Sequence, residues 1–221
     1  MRAATPFMPA GTVYGVLLNF SAEQQALAPQ MSEPPYKAPP RAPILYIKPA
    51  NTWSASGASI AVPTHVPEVE IGATVAMVMG RDARAVKVNE ALDYVAGYVL
   101  MNDLSVPHAS FYRPPVKAKC RDGFLGVGPV LVAADAAVDP SRFTLAVHVN
   151  GALRQSVDFA DVVRHAAQLL ADVSEFMTLH RGDILMLGCD AGRPLARAGD
   201  RIEISCPGFE PLRNTLVQEA A

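Results

Sequence analysis

The sequence predicts an α+β, β-rich chain: a mixed β-sandwich or roll with one long helix. Three observations predict it. Nine short apolar or β-branched runs recur, most of them ending in Gly, Pro, Asn or Asp. Only one stretch sustains helical apolar spacing over several turns. Val149-Asn150-Gly151-Ala152 reads as a tight hairpin, because Asn-Gly supplies the two positive φ values such a turn needs.

In chain order, residues 12–20 (TVYGVLLNF) form the first expected strand, followed by a short helix over 21–28. Residues 29–49 are rich in proline (PQMSEPPYKAPPRAPILYIKP), a composition that often marks a linker. Here the segment runs straight into the apolar strand 44–48, so it reads as an ordered extended arm packed on the body. Strands are expected at 59–62 and 73–79. A helix at 89–96 has Asn89 as its cap and Ala91, Leu92 and Val95 on one face. The apolar run 95–101, with its strand at 98–101, stops at Asp103. Strands at 129–133 and 143–149 lead to the Asn-Gly turn. The long helix covers 158–179, with Val162, Ala166, Leu169, Leu170, Val173, Phe176 and Met177 on one face and Asp161 near its start. Gly182-Asp183 and Gly199-Asp200 are turns that open strands 183–187 and 201–205. No internal repeat or domain boundary is visible, so residues 1–221 read as a single domain.

Composition excludes several classes. Half of the 221 residues are apolar and 18% are charged, which fits a well-buried globular chain and not a disordered one. A net charge of −2 leaves no electrostatic footprint for nucleic acid or an anionic membrane. The longest apolar run, 124–138, is broken by Asp135, and the N-terminal residues lack a secretory pattern. Cys120, Cys189 and Cys206 are odd in number and widely spaced. They argue for a reducing cytoplasm and against disulfides or a cysteine zinc site.

The most informative stretch is 98–128, YVLMNDLSVPHASFYRPPVKAKCRDGFLGVG. A carboxylate, Asp103, ends a buried strand, and Lys119 follows in a polar patch with Arg121 and Asp122. A carboxylate at a strand end and a lysine in a short loop can hold a metal ion and a substrate carboxylate or enolate. The bland alternative is a surface salt bridge. His108, five residues after Asp103, is the one histidine placed to serve as a base. Cys120 reads as a plain buried thiol. Tyr112 and Arg113 precede Lys119, where a cation could meet a distal carboxylate.

Several strings occur together in one order: LNF (18–20), LYIKP (45–49), GATVAMVMGR (72–81), DYVAGYVLMNDLS (93–105), KCRDGFLGVGP (119–129), VSEFMTLHRGD (173–183) and RAGDRIEI (197–204). The set resembles the fumarylacetoacetate hydrolase family over essentially the whole chain, and its fold is expected to be that family's C-terminal-domain type. Two longer strings, 34–52 and 110–124, resemble a narrower branch: the isomerase/decarboxylases of homoprotocatechuate (4-hydroxyphenylacetate) breakdown, built from two homologous halves. This chain is most similar to the first half. The resemblance implies a dimer, Mg²⁺ or Mn²⁺ held by an E-x-E pair and one aspartate, and an unsaturated 2-oxo dicarboxylate as substrate. It places Asp103 at the metal, Lys119 and Lys48 on carboxylate or enolate, and Asp122 as the group that orients Lys119.

The chain departs from the family pattern in three places. Its E-x-E, Glu68-Val69-Glu70, is out of register. Counting back from Gly80, the family's two glutamates fall on Gly72 and Thr74. Glu68 and Glu70 lie four residues early, roughly 13 Å along an extended strand, so they reach a metal only through a bulge or a bend. Glu23 stands where the family's hydrolases carry the histidine of a water-activating dyad, and Gly188-Cys189-Asp190 replaces a G-T-P. Two readings stay open. One is an enzyme subunit acting on 5-carboxymethyl-2-oxohex-3-ene-1,7-dioate or 2-hydroxyhepta-2,4-diene-1,7-dioate, paired with itself or with a paralogous subunit. The other is a degenerate, non-catalytic half supporting a paralogous active one.

Overall fold

The computed structural model describes residues 7–34, 37–108, 115–135 and 138–220. In chain order the strands are β1 (Val13–Leu17), β2 (Ile44–Lys48), β3 (Trp53–Ala55), β4 (Ser59–Val62), β5 (Val69–Glu70), β6 (Ala73–Met79), β7 (Val95–Asp103) and β8 (Leu125–Val127). They continue with β9 (Val132–Ala133), β10 (Thr144–Val149), β11 (Ala152–Asp158), β12 (Ile184–Met186), β13 (Leu195–Ala196), β14 (Arg201–Ser205) and β15 (Leu212–Gln218). The α-helices are α1 (Ser21–Met31), the single turn α2 (Val116–Lys119) and α3 (Ala166–Phe176).

One sheet runs β2-β1-β12-β6-β7-β8-β3 with β9 added on β7, and a second runs β11-β10-β14-β15-β4. β5 and β13 form a separate ribbon. Most pairs are antiparallel, but β1–β12, β15–β4 and β3–β8 are parallel, so both sheets are mixed. The ends of the first sheet, β2 and β3, are joined by only four residues, and the sheet curls back on itself. Contact between Tyr46 on β2 and Asp103 on β7, four places along the sheet, requires that curl. Flat, the two strands would stand about 19 Å apart.

Alternation along the strands builds two apolar layers. Val75, Met77 and Met79 join Leu145, Val147, Ile202 and Ile204 of the second sheet and Leu169, Leu170 and Val173 of α3. Ala76 and Val78 point the other way, into the roll, with Val13, Leu17, Val99, Met101, Leu125 and Val127. Burial on both faces explains why β6 and β7 read as continuous apolar runs. The Asn-Gly hairpin is present, with φ of 52° at Asn150 and 82° at Gly151.

The helices differ most from expectation. The helix expected over 158–179 is confined to Ala166–Phe176, because the hairpin turn pulls 152–158 into β11 and Asp158 caps a 3₁₀ turn by accepting from Ala160 N. Phe176 is 65% exposed and does not join the buried face. α1 has 11 residues, as does α3, so among the described residues there are two equal helices and not one long one. Residues 88–94 form a 3₁₀ helix capped at Lys87, not an α-helix capped at Asn89, while Val95 and Ala96 belong to β7. In the expected arm, 30–31 end α1 and 44–48 form β2, but most of 38–43 is exposed.

Candidate active site

Strand parity aims the centre. Ile44, Tyr46 and Lys48 share the inward face of β2, as Val99, Met101 and Asp103 share that of β7. Gly15 stands opposite Tyr46 in the β1–β2 register, and a Cβ there would lie 2.1 Å from the phenol ring. The ring crosses β1 only because residue 15 has no side chain. Lys119 arrives from α2, whose turn is closed by its backbone N–H on Pro115 O at 2.9 Å.

These groups converge on Asp103. Lys119 Nζ donates to Oδ2 at 2.7 Å, and the Tyr46 hydroxyl donates to the same oxygen in a short hydrogen bond. Lys48 Nζ lies 2.9 Å from Oδ1 as an ion pair but off the hydrogen-bonding direction. Its N–H groups donate to the carbonyls of Lys119 at 2.5 Å, Phe124 at 2.7 Å and Leu104 at 3.3 Å. All three ionised side chains are buried. Burial alone would raise the Asp103 carboxyl. Lys119 and Lys48, with the hydrogen bonds from Lys119 and Tyr46, outweigh it and hold the group well below the usual carboxylate range. Burial lowers Lys48, with the Asp103 charge opposing. Burial, then the Asp103 charge, pushes the Tyr46 phenol well above its ordinary value.

A second cluster adjoins the first. Arg193 pairs with Glu23 on α1 through a short contact, and with Glu70 on β5 at 3.4 Å. Glu23 Oε2 also accepts from Leu18 N at 2.9 Å. Burial raises the Glu23 carboxyl, and Arg193 opposes the rise. Cys189 is buried beside Gly72, its thiol pushed up to about 12 by burial and the Asp103 charge.

Asp103, Lys119 and Lys48 are thus brought together; other candidates lie elsewhere. Asp122 accepts from Asn51 Nδ2 at 2.6 Å on the exposed side of the loop, so it does not orient Lys119. Tyr112 and Arg113 lie outside the described residues. Glu68 is exposed on the wall of a separate cavity, and Glu70 is held by Arg193. His108 Nδ1 sits 3.1 Å from Val106 O. Cys120 is half-buried, not fully buried, and donates to Ile47 O. Sequence reasoning missed Tyr46 as a site residue, although its even spacing from Lys48 put both on one face. Nothing in the sequence signalled Arg193.

The donor set does not fit a hard dication. Mg²⁺ or Mn²⁺ needs several oxygen ligands, carboxylates among them. Here the one central carboxylate is engaged by two ammonium groups and a phenol. Among the described residues, no group of three His, Cys, Asp or Glu is placed to hold a metal. At Gly72, the register position of a family glutamate, a Cβ would lie 2.4 Å from Asp103 O and 3.0 Å from Cys189 Sγ.

Lys119 and Tyr46 also line a cavity of about 260 Å³ with Leu45, Ile47, Pro115, Val116 and Cys120. A larger cavity of about 640 Å³, on the far side of 115–121, touches none of Asp103, Lys48, Tyr46 or Lys119.

Comparison with known proteins gives concordant results. The family model described as fumarylacetoacetate (FAA) hydrolase C-terminal matches residues 12–217. The chain is 41% identical over 209 residues to the 4-hydroxyphenylacetate degradation bifunctional isomerase/decarboxylase of Escherichia coli, covering 95% of this chain and 48% of that protein. The chain thus spans about half the length of the curated relatives it matches most strongly. A crystal structure of a 5-carboxymethyl-2-hydroxymuconate delta-isomerase from Mycobacterium smegmatis superposes with a TM-score of 0.82 at 26% identity, covering 98% of this chain and 82% of that one. A fumarylpyruvate hydrolase from Pseudomonas aeruginosa, solved with Mn²⁺ and pyruvate, shares the fold at a TM-score of 0.82 and 21% identity, with 99% of each chain covered.

Proposed function

The chain belongs to the fumarylacetoacetate hydrolase family, and from that premise we propose that it is one catalytic half of an isomerase/decarboxylase. Its substrate is an unsaturated 2-oxo dicarboxylate of the 2-hydroxyhepta-2,4-diene-1,7-dioate or 5-carboxymethyl-2-oxohex-3-ene-1,7-dioate type. It works as a dimer or beside a paralogous half. One observation carries this reading: two buried ammonium groups share one carboxylate, leaving the Asp103–Lys48–Lys119 trio itself one positive charge in excess beside a cavity. An excess buried cation is costly unless an anion completes it, and a 2-oxo carboxylate or its enolate is such an anion.

In isomerisation the enol oxygen loses its proton, negative charge spreads along the diene, and a proton returns to the far carbon, with no change of oxidation state. Decarboxylation leaves the same extended enolate. Lys119, on the cavity wall, is the group that meets the developing oxyanion, and Asp103 fixes its ammonium. Tyr112 and Arg113 are assigned the distal carboxylate. Asp122 is left with the local shape of the loop through Asn51.

The second reading, a non-catalytic half, is favoured by the Arg193 pairings, which occupy both Glu23 and Glu70. The pure chain incubated with 2-hydroxyhepta-2,4-diene-1,7-dioate, followed by loss of dienol absorbance, separates the two. Turnover supports the enzyme. Its absence, with turnover restored only by adding a paralogous half, supports the scaffold.

A further inference from the structure

We propose that the Lys48 ammonium is the resident cation of this centre, doing for Asp103 what a divalent ion would otherwise do, and that the chain binds no metal there. The inference stands apart from the substrate assignment, since it concerns only what fills the site before any substrate arrives.

The surroundings of Nζ are those of a cation site. Four oxygens face it: Asp103 Oδ1 at 2.9 Å and the carbonyls of Lys119, Phe124 and Leu104 at 2.5, 2.7 and 3.3 Å. Three N–H donors meet three carbonyls, and the carboxylate supplies the counter-charge. Distances near 2.8 Å suit an ammonium, whereas Mg²⁺ requires about 2.1 Å and several further ligands. The side chain has no other place to go. Its backbone is fixed in β2 opposite Val13, and the side chain is 0% exposed. The two nearby carboxylates that could add negative charge, Glu23 and Glu70, are both paired with Arg193, which they share. Every acidic group around the centre therefore already has a cation supplied by the chain itself. Lys48, with its donors spent on the protein, is a positioning residue that holds Asp103, and through it Lys119, while Lys119 alone of the two lysines lines the cavity.

The experiment removes the cation and returns it. Lys48→Ala deletes three methylene groups and the ammonium, which together correspond to n-propylammonium. The full-length variant is refolded from urea with propylammonium, with 1-propanol as the neutral isostere, or with buffer alone, and its thermal unfolding is recorded. In parallel, the wild-type chain is titrated with Mn²⁺ while the EPR signal of the free ion is followed. The expected results are an undiminished Mn²⁺ signal, a Tm for Lys48→Ala lower by roughly 10 °C, and a saturable recovery with propylammonium that propanol does not reproduce. Stoichiometric Mn²⁺ binding by the wild type would overturn the proposal. So would a variant as stable as the wild type, equal rescue by propanol, or a folded variant whose Tm the amine does not raise. If Lys48→Ala folds under none of these conditions, the wild-type Mn²⁺ titration decides alone.

Discussion

Lys119 Nζ lies 2.7 Å from Asp103 Oδ2, and the Lys48 ammonium stands 2.9 Å from the other carboxylate oxygen, so one buried aspartate bridges two buried lysines. Replacing that aspartate by a neutral amide would strand both charges. Asp103→Asn is expected to destabilise the chain by about 3–5 kcal/mol near pH 7.

The pH dependence has a definite sign. The folded carboxyl of Asp103 titrates below its unfolded value, so its contribution is complete above that value, about pH 3.9. It is lost as pH falls through the depressed folded pKa. The stability gap between wild type and Asp103→Asn should therefore narrow below about pH 4. Urea unfolding across the acid range checks this.

Gly15 and Tyr46 form a coupled pair. A methyl group at residue 15 would meet the phenol ring at 2.1 Å, so Gly15→Ala must push Tyr46 off Asp103. The expected cost is about 2–3 kcal/mol. In a double-mutant cycle with Tyr46→Val, the two effects should be non-additive by more than about 0.5 kcal/mol. Additive losses would mean that the ring does not depend on Gly15 for its place.

Arg193 is the only partner the structure gives to the side chain of Glu70 among the described residues, and it is the larger of the two charges, with Lys119, that oppose the upward push of burial on Glu23. Arg193→Met should destabilise by about 3 kcal/mol near neutrality. Without the guanidinium the Glu23 pKa rises further. A carboxyl whose folded pKa exceeds its unfolded one costs stability as pH rises through it. Stability of Arg193→Met should accordingly fall as pH rises above the ordinary glutamate value of about 4.3, and adding Glu23→Gln should flatten that slope.

Acylpyruvate hydrolysis is not expected. Glu23 occupies the position of the family's dyad histidine and is committed to Arg193 and Leu18 N, with no oxygen left to activate water. Incubation of the chain with fumarylpyruvate, followed by chromatography of pyruvate, should show no release.

Much of this was legible in the sequence because strand parity carries it. LYIKP and GYVLMND place Lys48 and Asp103 at alternating positions on strands whose apolar residues declare the inner face. The lysine string near 119 supplied the third member. What stayed hidden depends on sheet curvature and on single long side chains. That Tyr46 reaches across β1 follows from Gly15, a relation set by strand register and invisible in spacing. Arg193 sits in a turn without periodicity, and its pairing with Glu23 spans 170 residues. Asp122 was misjudged because nearness to Lys119 in sequence does not bring the side chains together across the end of α2. β11, ALRQSVD, has too little apolar alternation to be recognised, and it forms because the Asn-Gly turn delivers it to β10.

Whether Lys119 does the chemistry is decided by the steady-state rate at which the purified chain isomerises 2-hydroxyhepta-2,4-diene-1,7-dioate, compared with that of Lys119→Met. A Lys119 that meets the oxyanion requires measurable turnover by the wild type and a loss of about 100-fold or more in kcat for a variant that still folds. Equal rates in the two proteins, or no turnover by the wild-type chain, would contradict it.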